Sequence, residues 1–174
     1  MRPRSSPDSR EPGRRFDRGQ GLVEMMLTLP VLLTVTFGVL ELGTLLDVTH
    51  QISSLTREGA NMASRGAPLD SVLLITTTNG QSVGLMQTGG AIVSEIEVQG
   101  STPVILDQVA SYGYVGQSRL GNLGATAAPL VGQGLRPGKL YYAVEVFSPY
   151  HAFTPLDHLV GTIVPDVLYD RTVF

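Results

Sequence analysis

Two glutamates bracket an apolar stretch of the chain, and their placement demands a chemical reason. Glu24 and Glu41 are separated by an uncharged run, Met25 to Leu40. In a helix that rises about 1.5 Å per residue, the two carboxylates lie roughly 25 Å apart, slightly less than the ~30 Å hydrocarbon core of a bilayer. A carboxylate at membrane depth is costly and usually has a function, such as binding a cationic partner. The spacing predicts that the two acids lie near opposite faces of a membrane.

The segment that carries these acids has the length of a membrane span. Its apolar character runs from Leu22 to Leu46, which is long enough to cross a bilayer with some tilt. Pro30 is expected to kink the helix, a distortion that membrane helices tolerate. A cleaved secretory signal has a shorter apolar region and a small-x-small cleavage site, and neither is present here. The Arg14-Arg15 pair only faintly suggests a twin-arginine signal.

Charge is distributed unequally on the two sides of this segment. Residues 1–18 hold six arginines and three acids, whereas the remaining residues carry a formal charge of −6. The basic, Ser/Pro-rich head cannot bury a core and is predicted to be disordered. Nucleic-acid binding is the weaker interpretation of this head, because positive charge directly before an apolar run sets membrane orientation. The N-terminus is therefore expected in the cytoplasm, with everything after the span exported.

The exported part is predicted to have an α+β fold. Apolar positions between Asp47 and Arg65 recur at helical spacing, and the helix is expected to end near Gly66 and Pro68. Residues 69–80 are ambiguous between helix and strand, and residues 115–138 form a glycine-rich loop. Three segments have strand patterns: residues 90–100, 102–114 and 139–150. We expect a small antiparallel sheet packed against the outer half of one long helix. The predicted regions are residues 1–19 as the leader, 20–46 as the transmembrane helix, 47–66 as a juxtamembrane amphipathic helix and 67–174 as the exported α+β domain.

Catalytic chemistry has little support in the sequence. The chain contains no cysteine, which excludes thiolate catalysis and cysteine-based metal sites. His151 and His158, with Asp157, lack a standard metal-ligand spacing, and His50 lies on the polar side of the helix. The glycines of "GQGLRPG" follow no strand-to-helix unit that would bind phosphate, and Ser118 has no evident base. No enzyme activity, cofactor or metal is predicted.

The start of the apolar helix resembles a known processing signal. In "RGQGLVEMM", a basic leader is followed by Gly19 and, five residues later, by Glu24 at the beginning of the apolar run. This arrangement resembles the class III signal of type IV prepilins, which a membrane aspartyl peptidase cuts after the glycine. Together with the following residues it is similar to the TadE-like minor pilins (pseudopilins) of tight-adherence (Tad/Flp) pilus systems. The matching positions are Gly19, Val23, Glu24, Pro30, Phe37, Gly38, Glu41, Gly43, Arg57, Glu58, Gly59 and Ala60.

The resemblance implies a processing site and contacts between helices. Cleavage would fall between Gly19 and Gln20, which makes Glu24 the fifth residue of the mature protein. The Glu24 carboxylate would then pair with the N-terminal amine of a neighbouring subunit and set the register of packed helices. Glu41 is interpreted either as a marker of the membrane interface or as a contact with a partner helix, and the second interpretation is preferred. Gln20 stands where many type IV pilins have Phe, so N-methylation is not predicted either way, and Met25 stands where the major pilin usually has Tyr.

The implied function is assembly of a Tad-type pilus for surface adhesion or secretion. The implied partners are the prepilin peptidase, the other Tad minor pilins and the major pilin, the inner-membrane assembly platform and the lipid bilayer, with no nucleic acid. The location implied is the bacterial inner membrane, with the C-terminal domain on the periplasmic side. A minor role is favoured because major Tad pilins are, by resemblance, little more than the helix. The alternative is an uncleaved, signal-anchored envelope protein whose exported domain binds a ligand.

Overall fold

One helix dominates the N-terminal third of the protein. The computed structural model describes residues 16–155, 162 and 164–174, and helix α1 extends over Phe16–Ser64. Pro30 lies inside this helix without ending it. Threonine hydroxyls return to the carbonyl oxygens one turn earlier, as Thr34 does to Pro30 at 2.8 Å and Thr36 to Leu32 at 2.8 Å. These bonds satisfy polar groups that would otherwise face an apolar environment.

The first half of α1 is long and apolar enough to cross a membrane. From Gly19 onward the helix reaches a mean hydropathy of 1.9, and its large apolar side chains between Leu22 and Leu46 are mostly exposed. An exposed apolar surface on a helix of this length suits lipid as its surroundings. This half of the helix fits a membrane-anchored protein.

The rest of the chain forms a four-stranded antiparallel sheet with a second helix. The strand order is β2-β1-β3-β4, and every neighbouring pair is antiparallel. Helix α1 contacts β3, β4 and α2, and α2 also contacts β1 and β2. The α+β fold, with a long helix on a small antiparallel sheet, is thereby confirmed. The elements after α1 are α2 (Leu69–Asn79), β1 (Gly90–Gln99), β2 (Thr102–Ala110), β3 (Leu140–Pro149) and β4 (Val167–Val173).

Three strands lie where the sequence pattern predicted them, the structure decides one ambiguous segment, and one further strand was not predicted. The ambiguous residues 69–80 form α2 rather than a strand. Strand β4 was not predicted, because Asp170 and Arg171 interrupt its apolar alternation. It pairs with β3 in a register that sets Glu145 opposite Arg171 and Val146 opposite Asp170.

The sheet separates two apolar clusters. On the helix side, Ile52 and Leu55 of α1 pack with Val72 of α2 and with Val93 and Val144 of the sheet. Alternate residues of the same strands face the other way, because side chains of a strand alternate between its faces. On that opposite side the glycine-rich loop closes the core, and its members are Ile96, Ile105, Leu120, Ala127, Leu130 and Ala143. Both faces of the sheet are therefore covered.

Gly59 lies at a close approach between α1 and the rest of the domain. A Cβ atom at this position would lie 2.8 Å from Thr76 Oγ1 and 3.2 Å from a methyl carbon of Val144. Both distances are too short for a side chain to enter without displacing its neighbours. Gly59 and Ala60 are buried, whereas Arg57 and Glu58 are exposed, so this motif has one face on the sheet and one on the outside.

Candidate functional site: the processing segment and the Glu41 clasp

The predicted processing segment lies on the exposed first turns of α1. Gly19, Gln20 and Glu24 are helical and exposed, and nothing lies within 4 Å of a Cβ built on Gly19. Gln20 and Glu24 are four residues apart, which places them on the same helix face, one turn from each other. The Glu24 carbonyl oxygen accepts a hydrogen bond from the Thr28 hydroxyl. The carboxylate of Glu24 is therefore available on the surface of the span.

Glu41, by contrast, is buried and bound within the chain. Only 3% of this residue is exposed, although its neighbours along the helix are open. Its Oε1 accepts a 2.5 Å hydrogen bond from the Tyr150 hydroxyl and a 3.2 Å bond from the backbone N–H of Phe153. Its Oε2 accepts bonds from the N–H groups of Phe153 at 3.2 Å and Thr154 at 3.1 Å. We call this arrangement of Glu41, Tyr150, Phe153 and Thr154 the Glu41 clasp.

The clasp connects the span to the domain. The segment that supplies its donors follows β3 directly, so the carboxylate fixes the end of a central strand to α1. The Tyr150 hydroxyl also lies 3.3 Å from Thr44 Oγ1, one turn further along the helix. A buried carboxylate needs such partners, since an unsatisfied charge in a low-dielectric site is very costly. These intramolecular partners explain the burial of Glu41, and its contact with a partner helix stays a prediction.

A second buried carboxylate fastens the loop on the other side of the sheet. Glu145 in β3 is fully buried, and its Oε1 accepts bonds from the Arg119 N–H at 2.9 Å and from the Tyr169 hydroxyl at 2.8 Å. Its Oε2 accepts a hydrogen bond from the Ser118 hydroxyl. The glycine-rich loop is thereby tied to the sheet by a carboxylate, and Ser118 acts as a donor to it.

Aromatic rings continue this attachment along the sheet. Tyr114 stacks on Phe147 with ring centroids 5.2 Å apart, and Phe147 lies 5.1 Å from the ring of Tyr169. The Arg119 guanidinium carbon is 4.1 Å from the centroid of the Tyr169 ring, a cation–π geometry. Burial raises the pKa of Tyr169 above its usual value, and the charge and hydrogen bond of Glu145 raise it further. A Cβ at Gly90 would lie 2.3 Å from the Tyr114 ring, so the ring needs glycine at that position.

The candidate catalytic residues that the structure describes do not converge on one site. His50 and His151 are exposed, and His158 and Asp157 lie outside the described residues. Among residues 16–155, 162 and 164–174, no group of three or more histidine and acidic side chains is arranged to hold a metal ion. Ser118 contacts Glu145, but this carboxylate is enclosed by its donors and by the loop, so the pair serves attachment.

Sequence reasoning identified Glu41 but not its partners, and it missed Glu145. Tyr150 is the last residue of a predicted strand, and nothing in its neighbourhood points to a carboxylate 109 positions earlier. Glu145 could have been noticed as a lone acid inside the apolar strand "YYAVEVF", since such an acid must find partners when buried.

A long apolar N-terminal helix with an antiparallel sheet packed on its second half defines an α+β class of protein, and the apolar helix fits a membrane-anchored protein. Within this class, residues 19–61 match the family model described as TadE-like protein, which confirms the resemblance over this segment. The family connects the segment with Tad pilus systems, implies association with other pilus components and is structural rather than enzymatic. The sheet lies beyond the matched residues. No curated protein and no solved structure matches the chain.

Proposed function

We propose that this chain is a minor pilin, or pseudopilin, that takes part in assembly of a Tad-type pilus used for surface adhesion or secretion. The observation that carries the proposal is the extent of the family match. It begins at Gly19, the residue after which a prepilin peptidase would cut, and it includes Glu24, Glu41 and Gly59. The match therefore covers the predicted mature helix from Gln20 to residue 61, together with Gly19, the last residue of the predicted leader.

Processing gives Glu24 its role in this proposal. Cleavage after Gly19 creates a positive amine on Gln20, and Glu24 carries a negative charge one helical turn away. The exposure of Glu24 supports a partner outside its own chain, in contrast to the enclosed Glu41. A carboxylate that pairs with the amine of a neighbouring subunit would fix the register between packed helices, although its desolvation cost limits the net stabilisation.

The orientation in the membrane follows from charge. Six arginines precede the span, so the N-terminus is cytoplasmic and the sheet domain lies on the periplasmic side of the bacterial inner membrane. In that position the span meets the inner-membrane assembly platform and the helices of the other minor pilins and the major pilin. The sheet domain, which is much larger than a bare pilin helix, favours a priming, tip or scattered position over the bulk of the filament.

Pilus yield in a strain that lacks this chain tests the proposal. We expect the deletion to lower the amount of surface pili, and the wild-type gene to restore it. Glu24→Ala should enter the membrane at normal level but fail to restore piliation. Glu58→Ala supplies the matched control, because Glu58 is an exposed acid further along the same helix.

Two results would contradict the proposal. Normal piliation in the deletion strain would remove the chain from the pathway and favour the signal-anchored envelope protein with a binding domain. Full restoration by Glu24→Ala would remove the function assigned to this carboxylate.

A further inference from the structure

The loop that closes the Glu41 clasp carries an exposed aromatic ring at the membrane end of the domain. Phe153 is 84% exposed, although its own backbone N–H is bound to the Glu41 carboxylate. The backbone contact fixes where the ring lies along α1, while the ring itself points away from the protein core. Within the part of the chain that the structure describes, this ring is open and can enter an apolar environment outside the protein.

The level of the clasp along the helix identifies that environment. Exposed apolar residues precede Glu41, and they continue beyond it at Leu42 and Leu46, which are 60% and 57% exposed. At about 1.5 Å per residue, Leu46 lies roughly 7 Å further along the axis than Glu41. The lipid-suited surface of α1 therefore extends past the clasp, so the clasp lies at the edge of the apolar layer and not above it.

The clasp also solvates the Glu41 carboxylate, whose charge would otherwise prevent it from lying at the edge of the apolar layer. A bare carboxylate at the acyl boundary would need water, but Glu41 is 3% exposed and receives four hydrogen bonds of 3.2 Å or less from the loop. With its charge satisfied by the protein, the level of Glu41 can enter the boundary between headgroups and acyl chains. Phe side chains enter that boundary in amphipathic helices that lie at the membrane interface.

We infer that Phe153 inserts into the outer leaflet of the bilayer at the boundary of headgroups and acyl chains, as a second membrane contact besides the span. The ring and the span then hold the domain at two points, which fixes its tilt relative to the membrane. This inference depends on the membrane span alone and goes beyond the proposed function, because neither processing nor pilus assembly is needed for it.

The chain contains no tryptophan, which allows a direct test. The full chain with Phe153→Trp is reconstituted into phosphatidylcholine vesicles, and its fluorescence is compared with that of Leu140→Trp. Leu140 is a 48% exposed residue at the opposite end of β3, and ten strand residues at ~3.3 Å place it roughly 30 Å along the strand from the end that leads to the clasp. Both substitutions replace exposed side chains, so both variants are expected to fold.

We expect the Phe153→Trp emission to lie at shorter wavelength than that of Leu140→Trp. Lipids brominated near the headgroup end of the acyl chain should quench it, with at least roughly twofold loss of intensity, and should leave Leu140→Trp unchanged. Equal, water-like emission of the two variants would overturn the inference. A shift to shorter wavelength without quenching by brominated lipid would also overturn it, because the ring would then be packed against protein. Both fluorescence measurements are made on the reconstituted chain, so a failure of the proposed role in pilus assembly would not change their outcome.

Discussion

The Glu41 carboxylate on the membrane helix accepts a 2.5 Å hydrogen bond from the hydroxyl of Tyr150, a residue 109 positions later at the end of a central strand. This bond and the N–H donors of Phe153 and Thr154 connect the outer end of the span to the sheet domain. The domain is thus attached to α1 at two levels, by the clasp near the membrane and by the close packing at Gly59 further out.

Removal of the carboxylate at Glu41 should loosen the clasp. Glu41→Ala leaves the Tyr150 hydroxyl and two backbone N–H groups without their acceptor, and we expect the free energy of unfolding to fall by about 1–3 kcal/mol. Processing at Gly19 should remain intact, while pilus assembly falls because the domain is no longer held in place. Thermal unfolding of the full chain in detergent micelles measures the first effect. Glu58→Ala is the control, and equal melting of the two variants would contradict the role of the clasp.

Removal of the carboxylate at Glu145 should release the glycine-rich loop. Three donors lose their acceptor in Glu145→Ala, those of Ser118, Arg119 and Tyr169, and we expect a loss of about 2–4 kcal/mol. Hydrogen exchange should accelerate first in residues 115–124, before the strands respond. Asp107→Asn, an exposed acid in β2, should leave exchange unchanged. Unaltered exchange of the loop in Glu145→Ala would show that other contacts hold it.

A methyl group at Gly59 should disturb the packing of α1 on the domain. Although alanine favours helix, a Cβ there meets Thr76 and Val144 at 2.8–3.2 Å. We expect Gly59→Ala to destabilise the protein by about 1–3 kcal/mol, as overpacking usually does. Gly43→Ala is the matched control on the same helix, since nothing lies within 4 Å of its Cβ position, and it should be neutral or stabilising by up to ~1 kcal/mol. The melting temperatures of the two variants test this prediction. A Gly59→Ala variant that melts at the wild-type temperature would contradict the close contact.

Alkaline pH should weaken the domain through Tyr169. Burial, with the charge and hydrogen bond of Glu145, raises the pKa of this hydroxyl in the folded state. A group with a raised folded pKa contributes stability that is complete below the unfolded pKa of about 10 and is lost as pH rises above it. Unfolding of the full chain in denaturant, measured from pH 8 to about 11, should therefore show falling stability. Tyr169→Phe should reduce this slope, whereas Tyr112→Phe, at a fully exposed ring, should retain it. An identical slope in wild type and Tyr169→Phe would contradict the assignment.

Periodic patterns in the sequence predicted the elements whose burial is regular. The stripe that includes Ile52, Leu55 and Gly59 packs on the sheet, and the alternation in β1 and β3 corresponds to their two faces. Strand β4 was not predicted, because the charged residues that interrupt its apolar alternation are explained only by contacts outside the strand. Asp170, for example, accepts a 2.6 Å hydrogen bond from Thr56 of α1, a contact between residues far apart in the chain.

The packing of the glycine-rich loop on the second face of the sheet could not be predicted from the sequence either. Loop residues such as Leu120 and Leu130 do not recur at regular spacing. Their burial depends on the hydrogen bonds by which Glu145 of β3 holds the loop. A local sequence pattern predicts which face of a helix or strand is buried. The clasp and the loop attachment, in contrast, depend on pairs of residues more than 20 positions apart, which such a pattern does not contain. The candidate processing residues Gly19, Gln20 and Glu24, by contrast, lie close together in the chain, so a sequence pattern alone suggests them, and cleavage there stays a prediction.

The mass of the mature chain tests the central proposal most directly. Intact-protein mass spectrometry, applied to cells that contain the system's prepilin peptidase, should find a chain that begins at Gln20. Deletion of the peptidase, or replacement of Gly19 by Ala, should leave residues 1–19 attached, while Gly21→Ala serves as a nearby glycine control. A full-length chain in peptidase-containing cells would contradict the pilin pathway and leave a membrane-anchored envelope protein.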